Sequence, residues 1–108
     1  MAKYERILKG DFETIRQKIK DGILSGSISA SLEGSSIFHD GDARCSVQVF
    51  ERYSALGANR VSLTVTLFQG GDEDIHLSAI TSGGSQAIFY KINTYGEDNF
   101  LDKLIELL

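Results

Sequence analysis

Asn59 to Asn93, NRVSLTVTLFQGGDEDIHLSAITSGGSQAIFYKIN, reads as three consecutive β-strands joined by two glycine-punctuated turns. From Val61 to Leu67 the alternation is strict. Val61, Leu63, Val65 and Leu67 point one way, and Ser62, Thr64 and Thr66 point the other. A period of two with β-branched enrichment marks a strand with one face buried. Gly70-Gly71-Asp72 opens an acidic turn, after which Ile75, Leu77 and Ala79 alternate with His76, Ser78 and Ile80. Ser82-Gly83-Gly84-Ser85 supplies a second tight turn, and Ile88, Tyr90 and Ile92 then alternate with Ala87, Phe89 and Lys91. Connections this short demand antiparallel pairing, because parallel neighbours need a crossover of about a dozen residues.

Upstream, residues 2–9 (AKYERILK) form a strand candidate, with Tyr4, Arg6 and Leu8 opposed to Glu5, Ile7 and Lys9. Asp11 is placed to cap a helix, since its carboxylate can accept the orphan amides of a first turn. Phe12, Ile15, Ile19 and Ile23 follow at spacings of three and four, which gives that helix one apolar stripe. Glu13 and Arg16 can pair on its surface. Ile28, Ala30 and Leu32 alternate with serines, and the irregular stretch 34–42 (GSSIFHDGD) leaves strand and loop both open. Asp40-Gly41-Asp42 is a turn signal. Cys45, Val47 and Val49 alternate with Ser46, Gln48 and Phe50, and place an apolar inner face on a strand reaching about Tyr53. At the end, Thr94 and Glu97 have capping-box spacing. Phe100, Leu101, Leu104, Ile105 and Leu108 then make a wide apolar helical stripe that must dock.

The expectation is one α+β domain over residues 1–108: a two-layer sandwich in which two helices cover one face of an antiparallel sheet of five to six strands, β-α-β(4-5)-α. With 108 residues and one cysteine, the chain has no internal disulfide framework and suits a reducing cytoplasm. No run of about 18 apolar residues occurs, so no membrane span is expected. The opening MAKYERILKGDF lacks the basic-then-apolar pattern of a secretory signal. Net charge is −4 and unevenly spread. Residues 1–20 hold six Lys/Arg against three Asp/Glu, and residues 69–108 hold two against seven. Arg16, Lys18 and Lys20 fall on more than one helical face and make no basic stripe, so a nucleic-acid partner is disfavoured.

Four groupings invite chemistry, and each has a plainer reading. His39-Asp40-Gly41-Asp42 and Asp72-Glu73-Asp74 with His76 could hold a cation, but neither has a recognised ligand spacing, and both read first as solvated turns. Cys45 could be a nucleophile with His39 or His76 as base, or a small buried apolar residue. Ser82–Ser85 could cradle an anion, yet no helix follows it to supply a field. No nucleophile–base–orienter set emerges, so an enzyme is not expected and no cofactor is implied. The second sheet face is more informative. It is largely Ser and Thr, with Phe50, Phe68, Ile80 and Phe89 as large apolar anchors, as a self-associating surface would need. A homo-oligomer is the first expectation. The alternative is a cavity for a small apolar ligand or lipid between the sheet and the closing helix, lined by Leu63, Val65, Tyr90 and Phe100.

In element order the chain resembles the TATA-binding-protein-like and helix-grip (START-like) folds; the second resemblance implies a ligand-binding role. The stretch AITSGGSQAIFYKINTYGEDNFLDKLIELL is similar to small bacterial proteins grouped as a domain of unknown function, which implies no activity.

Overall fold

The structure is a computed structural model and describes residues 2–27, 29–54, 59–72, 74–83 and 101–108. Its elements follow in order: β1 (Lys3–Lys9), α1 (Phe12–Ser25), β2 (Ser31–Asp40), β3 (Ala43–Ser54), β4 (Asn59–Gln69), β5 (Asp74–Gly83) and a helix, α2, over residues 101–107. Each strand pairs antiparallel with its neighbours, in the order β1-β5-β4-β3-β2. The fold is the expected α+β, with five strands described. The third strand of the meander expected at Ile88–Ile92, and the capping box at Thr94 and Glu97, lie outside the described residues.

Local chemistry sets the element ends. The Asp11 carboxylate accepts the Thr14 amide at 2.9 Å and the Thr14 hydroxyl at 2.8 Å, which satisfies one orphan donor of α1. Glu13 and Arg16 pair one turn apart at 2.6 Å. Gly41, at φ 59°, starts the two-residue turn between β2 and β3, a conformation that fits the right-handed twist of a hairpin. Asp72 Oδ1 accepts the Asp74 amide at 3.0 Å and closes the acidic turn into β5.

Both helices lie on one side of the sheet. Phe12, Ile19 and Ile23 of α1 and Leu101 and Leu104 of α2 share a single core with Val61, Leu63, Val65, Leu67, Ile75, Leu77 and Ala79. The helices also meet each other at Gly22, where a Cβ would lie within 3 Å of the Leu107 side chain and would force that side chain to move.

One stretch left open by its sequence is strand, and one expectation is corrected. Residues 34–40 are strand: β2 runs unbroken to Asp40 on the exposed edge, with one register shift between Leu32 and Gly34. Its pairing with β3 is a backbone ladder, and a serine-rich sequence carries no period-two signal to announce it. The correction concerns β3, whose sidedness is inverted. Phe50, expected on the second face, is 0% exposed in the core, and Ser46 and Gln48 are 1% exposed beside it. Cys45, Val47 and Val49, expected to face inward, are only half-buried and lie on the opposite face. The cause is register. Phe50, Gln48 and Ser46 stand opposite Leu63, Val65 and Leu67, and paired residues share a face.

The inversion leaves Ser46 Oγ and Gln48 Nε2 buried with no hydrogen-bond partner among the described residues. A buried unsatisfied group costs about 1–3 kcal/mol. Gln48→Met, which keeps the volume and removes the amide, should therefore raise the unfolding free energy by about 1–2 kcal/mol in urea titration. Phe50→Ala should lower it by about 3–5 kcal/mol. A loss of stability in Gln48→Met, or a negligible loss in Phe50→Ala, would contradict the inverted strand.

Candidate functional site

The sheet's second face is built in rows, because antiparallel register carries side chains straight across from strand to strand. One row runs through all five strands: Phe38 of β2, Cys45 of β3, Phe68 of β4, His76 of β5 and Ile7 of β1. The next row is Ser36, Val47, Thr66, Ser78 and Glu5. The third is Gly34, Val49, Thr64, Ile80 and Lys3. Large apolar groups stand open along the first row and at one position of the third, with Phe38 62% exposed, Ile7 57%, Phe68 44% and Ile80 37%. Short hydroxyls fill the ground between them.

Two hollows lie in the first row. One, of about 450 Å³, is bounded by Glu5, Ile7, Thr66, Phe68, His76 and Ser78. The other, of about 110 Å³, lies between Phe38 and Phe68 with Ala43 and Cys45 along it. The second is near the size of one aliphatic side chain. The Phe68 and His76 rings sit 6.3 Å apart and tilted by 41°, and so separate the two hollows.

Of the expected anchors, Phe68 and Ile80 are on this face, Phe50 is in the core, and Phe89 lies outside the described residues. The alignment of Phe38 and Ile7 with Phe68 was missed. Phe38 lies in a stretch with no clear period, and the alternation of residues 2–9 says nothing of what Ile7 stands beside. Leu63 and Val65, named as cavity lining, are 0% and 1% exposed in the core cluster with the helices, while Tyr90 and Phe100 lie outside the described residues.

Catalytic geometry is not assembled around Cys45. His39 lies opposite Arg44, on the helix-facing side, while Cys45 lies opposite Phe38 on the other. His76 shares the row with Cys45 but stands two strands away, about 10 Å at ordinary strand spacing. Among the described residues no three His, Cys, Asp or Glu side chains gather as metal ligands would. Arg44 instead reaches over the Phe12 ring, 5.4 Å from its centroid, as a cation–π contact that anchors β3 to α1.

Charges on and around the face compensate one another. Lys3 pairs with Glu5 at 3.8 Å, Arg60 with Glu51 at 2.7 Å, and Lys9 with Asp74. The Lys9 hydrogen bond, helped by its charge, holds the Asp74 carboxyl below the ordinary 3.8. The Thr14 amide and hydroxyl do the same for Asp11.

A family model described as a family of unknown function (DUF6054) matches residues 1–108. No curated protein matches the chain significantly in sequence. Among solved structures, the Saccharomyces cerevisiae Ran-binding protein Mog1p is similar at TM-score 0.52 and 11% identity, over 96% of this chain and 64% of Mog1p. A hypothetical protein from Helicobacter pylori gives TM-score 0.47 and 10% identity, over 96% of this chain and 84% of its own. This chain spans less than two thirds of Mog1p, and at such identity the likeness is one of fold. No helix among the described residues is long and apolar enough to cross a membrane.

Both depressed carboxylates are more ionised folded than unfolded at a given acidic pH. Their stabilisation is complete above the ordinary carboxylate range and is lost as pH falls through their lowered folded values. An Asp11→Ala/Asp74→Asn variant should melt below the wild type at neutral pH. The gap should close below pH 3.8. Thermal scans across that range check it, and a gap that stayed constant in acid would refute the assignment.

Proposed function

The chain belongs to that family, and we propose that it is a non-enzymatic binding domain that self-associates through the second face of its sheet. The observation that carries this reading is the inverted β3. The opposite sidedness would expose Phe50, but it would complete the burial of the half-buried Val47 and Val49, each worth part of the roughly 1.5–3 kcal/mol of a full burial. It would also release Ser46 and Gln48 to water and spare about 1–3 kcal/mol for each unmet polar group. The observed arrangement forgoes that and keeps Cys45, Val47 and Val49 beside Phe38 and Phe68. A strand with its greasier side turned away from its own helices is suited to a second apolar layer.

The occupant that best fits is a second copy of the same face. The face's charges are already neutralised in pairs, so a partner of strong charge of either sign gains little there. An identical surface meets no net repulsion. Five strands about 4.8 Å apart and about ten residues long give a face of roughly 700 Å². That approaches the roughly 800 Å² per partner of a standard stable interface. Phe68, on the middle strand of the end row and flanked by hollows that can receive apolar side chains, has the form of an interface hot spot.

Sedimentation velocity at micromolar concentration should give a mass at least twice 11.9 kDa for the wild type. Phe68→Glu, which forces a charge into the end row of the face, should reduce the mass while leaving the circular dichroism spectrum unchanged. A wild type that sediments as an 11.9 kDa monomer would end the proposal.

A further inference from the structure

Among the described residues the sheet has two edges, β1 and β2, and they are built differently. The β1 edge, KYERILK, carries Lys3, Arg6 and Lys9, the charged side chains that discourage another strand from adding. The β2 edge, SLEGSSIFHD, is ten residues long, and its eight residues from Glu33 to Asp40 are all exposed. It has no lysine and no proline, and it carries the apolar pair Ile37-Phe38 just before its closing His39-Asp40. The register shift near Leu32 interrupts only its first residues.

Hairpin geometry tells which backbone groups are spare. A two-residue turn makes Asp40 and Ala43 a mutually hydrogen-bonded pair. Alternation then turns the amides and carbonyls of Phe38, Ser36 and Gly34 toward β3, and those of His39, Ile37 and Ser35 outward.

We propose that the β2 edge pairs antiparallel with the β2 edge of a second copy about a two-fold axis at Ser36, joining two sheets into one of ten strands. Three observations select this occupant and register. The two-fold at Ser36 sets Ile37 opposite Ser35 of the second copy, so both outward-facing residues exchange hydrogen bonds. It brings His39 toward Glu33 of the second copy, an imidazole beside a carboxylate that also lies 3.9 Å from Arg60 of its own chain. And it sets Phe38 across from Gly34 of the second copy, on the same face. Gly34 needs no left-handed φ, and a Cβ there would meet nothing within 4 Å. Gly34 flanks the register shift, and its bare Cα also leaves room for an aromatic ring packed across the joint. The joint is separate from the face-to-face contact proposed above and does not depend on it.

Residue-resolved amide exchange on the full-length wild type tests the joint. Ser35, Ile37 and His39 should exchange as slowly as Ser36 and Phe38 at high micromolar concentration, and dilution should speed them alone. Ser35→Pro removes one outward amide without touching the β3 ladder, and should abolish that protection and halve the sedimenting mass. Ile37→Lys, which sets two like charges near the axis, should do the same if the proline variant folds poorly. Free exchange at the three outward residues, or a mass unchanged in both variants, overturns the proposal. So does protection that survives dilution. The two contacts fail separately. Phe68→Glu should leave the edge protection intact, so a mass insensitive to Phe68→Glu with protection retained defeats only the face. Exposed outward amides in a chain that Phe68→Glu still dissociates defeat only the edge.

Discussion

Antiparallel register is the constraint from which the rest of this molecule follows. Val61, Leu63, Val65 and Leu67 have one place to go, under α1 and α2, and all four are 0–1% exposed there. Once β4 is fixed, pairing transmits its sidedness to both neighbours whether or not their own sequences agree. On β5 the two signals agree, and Ile75, Leu77 and Ala79 fall on the core side. On β3 they disagree, and register prevails. Phe50 goes in beneath the helices, with Ser46 and Gln48 carried along, while Cys45, Val47 and Val49 come out.

That contest explains how much could be read from the chain alone. Features fixed by a side chain acting on its own neighbourhood were legible: the Asp11 cap, the Phe12–Ile19–Ile23 stripe, the Gly41 turn and the alternation of β4 and β5. So was the placing of both helices on one side, because two apolar stripes and one strongly apolar sheet face leave few alternatives. The features fixed by a partner strand were not legible. Local pattern on β3 favours Val47 and Val49 as the inner residues, and only the pairing of Phe50 with Leu63 says otherwise. Likewise the serines of β2 carry no period, and the strand exists because β3 offers it a ladder. Of the expected anchors, Phe68 and Ile80 stand on this face and Phe50 does not. The row that makes it a surface, from Phe38 to Ile7, needs the register of four strand pairs at once.

The two sides of the sheet have different chemistry for a physical reason. The helix-facing side is dominated by aliphatic residues packed to exclusion of water, with the polar stripe of β3 as its weak seam. The other side alternates large apolar groups with hydroxyls too short to reach over them. Ser36, Ser62, Ser78, Thr64 and Thr66 keep the surface wettable and the backbone close. Phe38, Phe68, Ile7 and Ile80 rise above that ground as separate contacts, so no single greasy patch forms. Such a surface tolerates exposure, yet can be desolvated at modest cost because hydroxyls can hydrogen-bond across a joint or to trapped water.

Edge and face also differ in what they can specify. A face contact depends on side chains, so its geometry can drift by a row before packing fails. An edge contact must match hydrogen bonds at every second residue and tolerates no half-step. The unequal guarding of the two edges therefore carries direction. Lys3, Arg6 and Lys9 shield β1, while β2 is left with only the irregularity near Leu32 and the charges of Glu33 and Asp40. A sheet closed at one edge and open at the other can join a copy of itself once, across a two-fold axis, and then has no exposed edge left except the guarded one. Pairing of that kind terminates, which distinguishes it from the open-ended addition that an unguarded strand on both sides would invite.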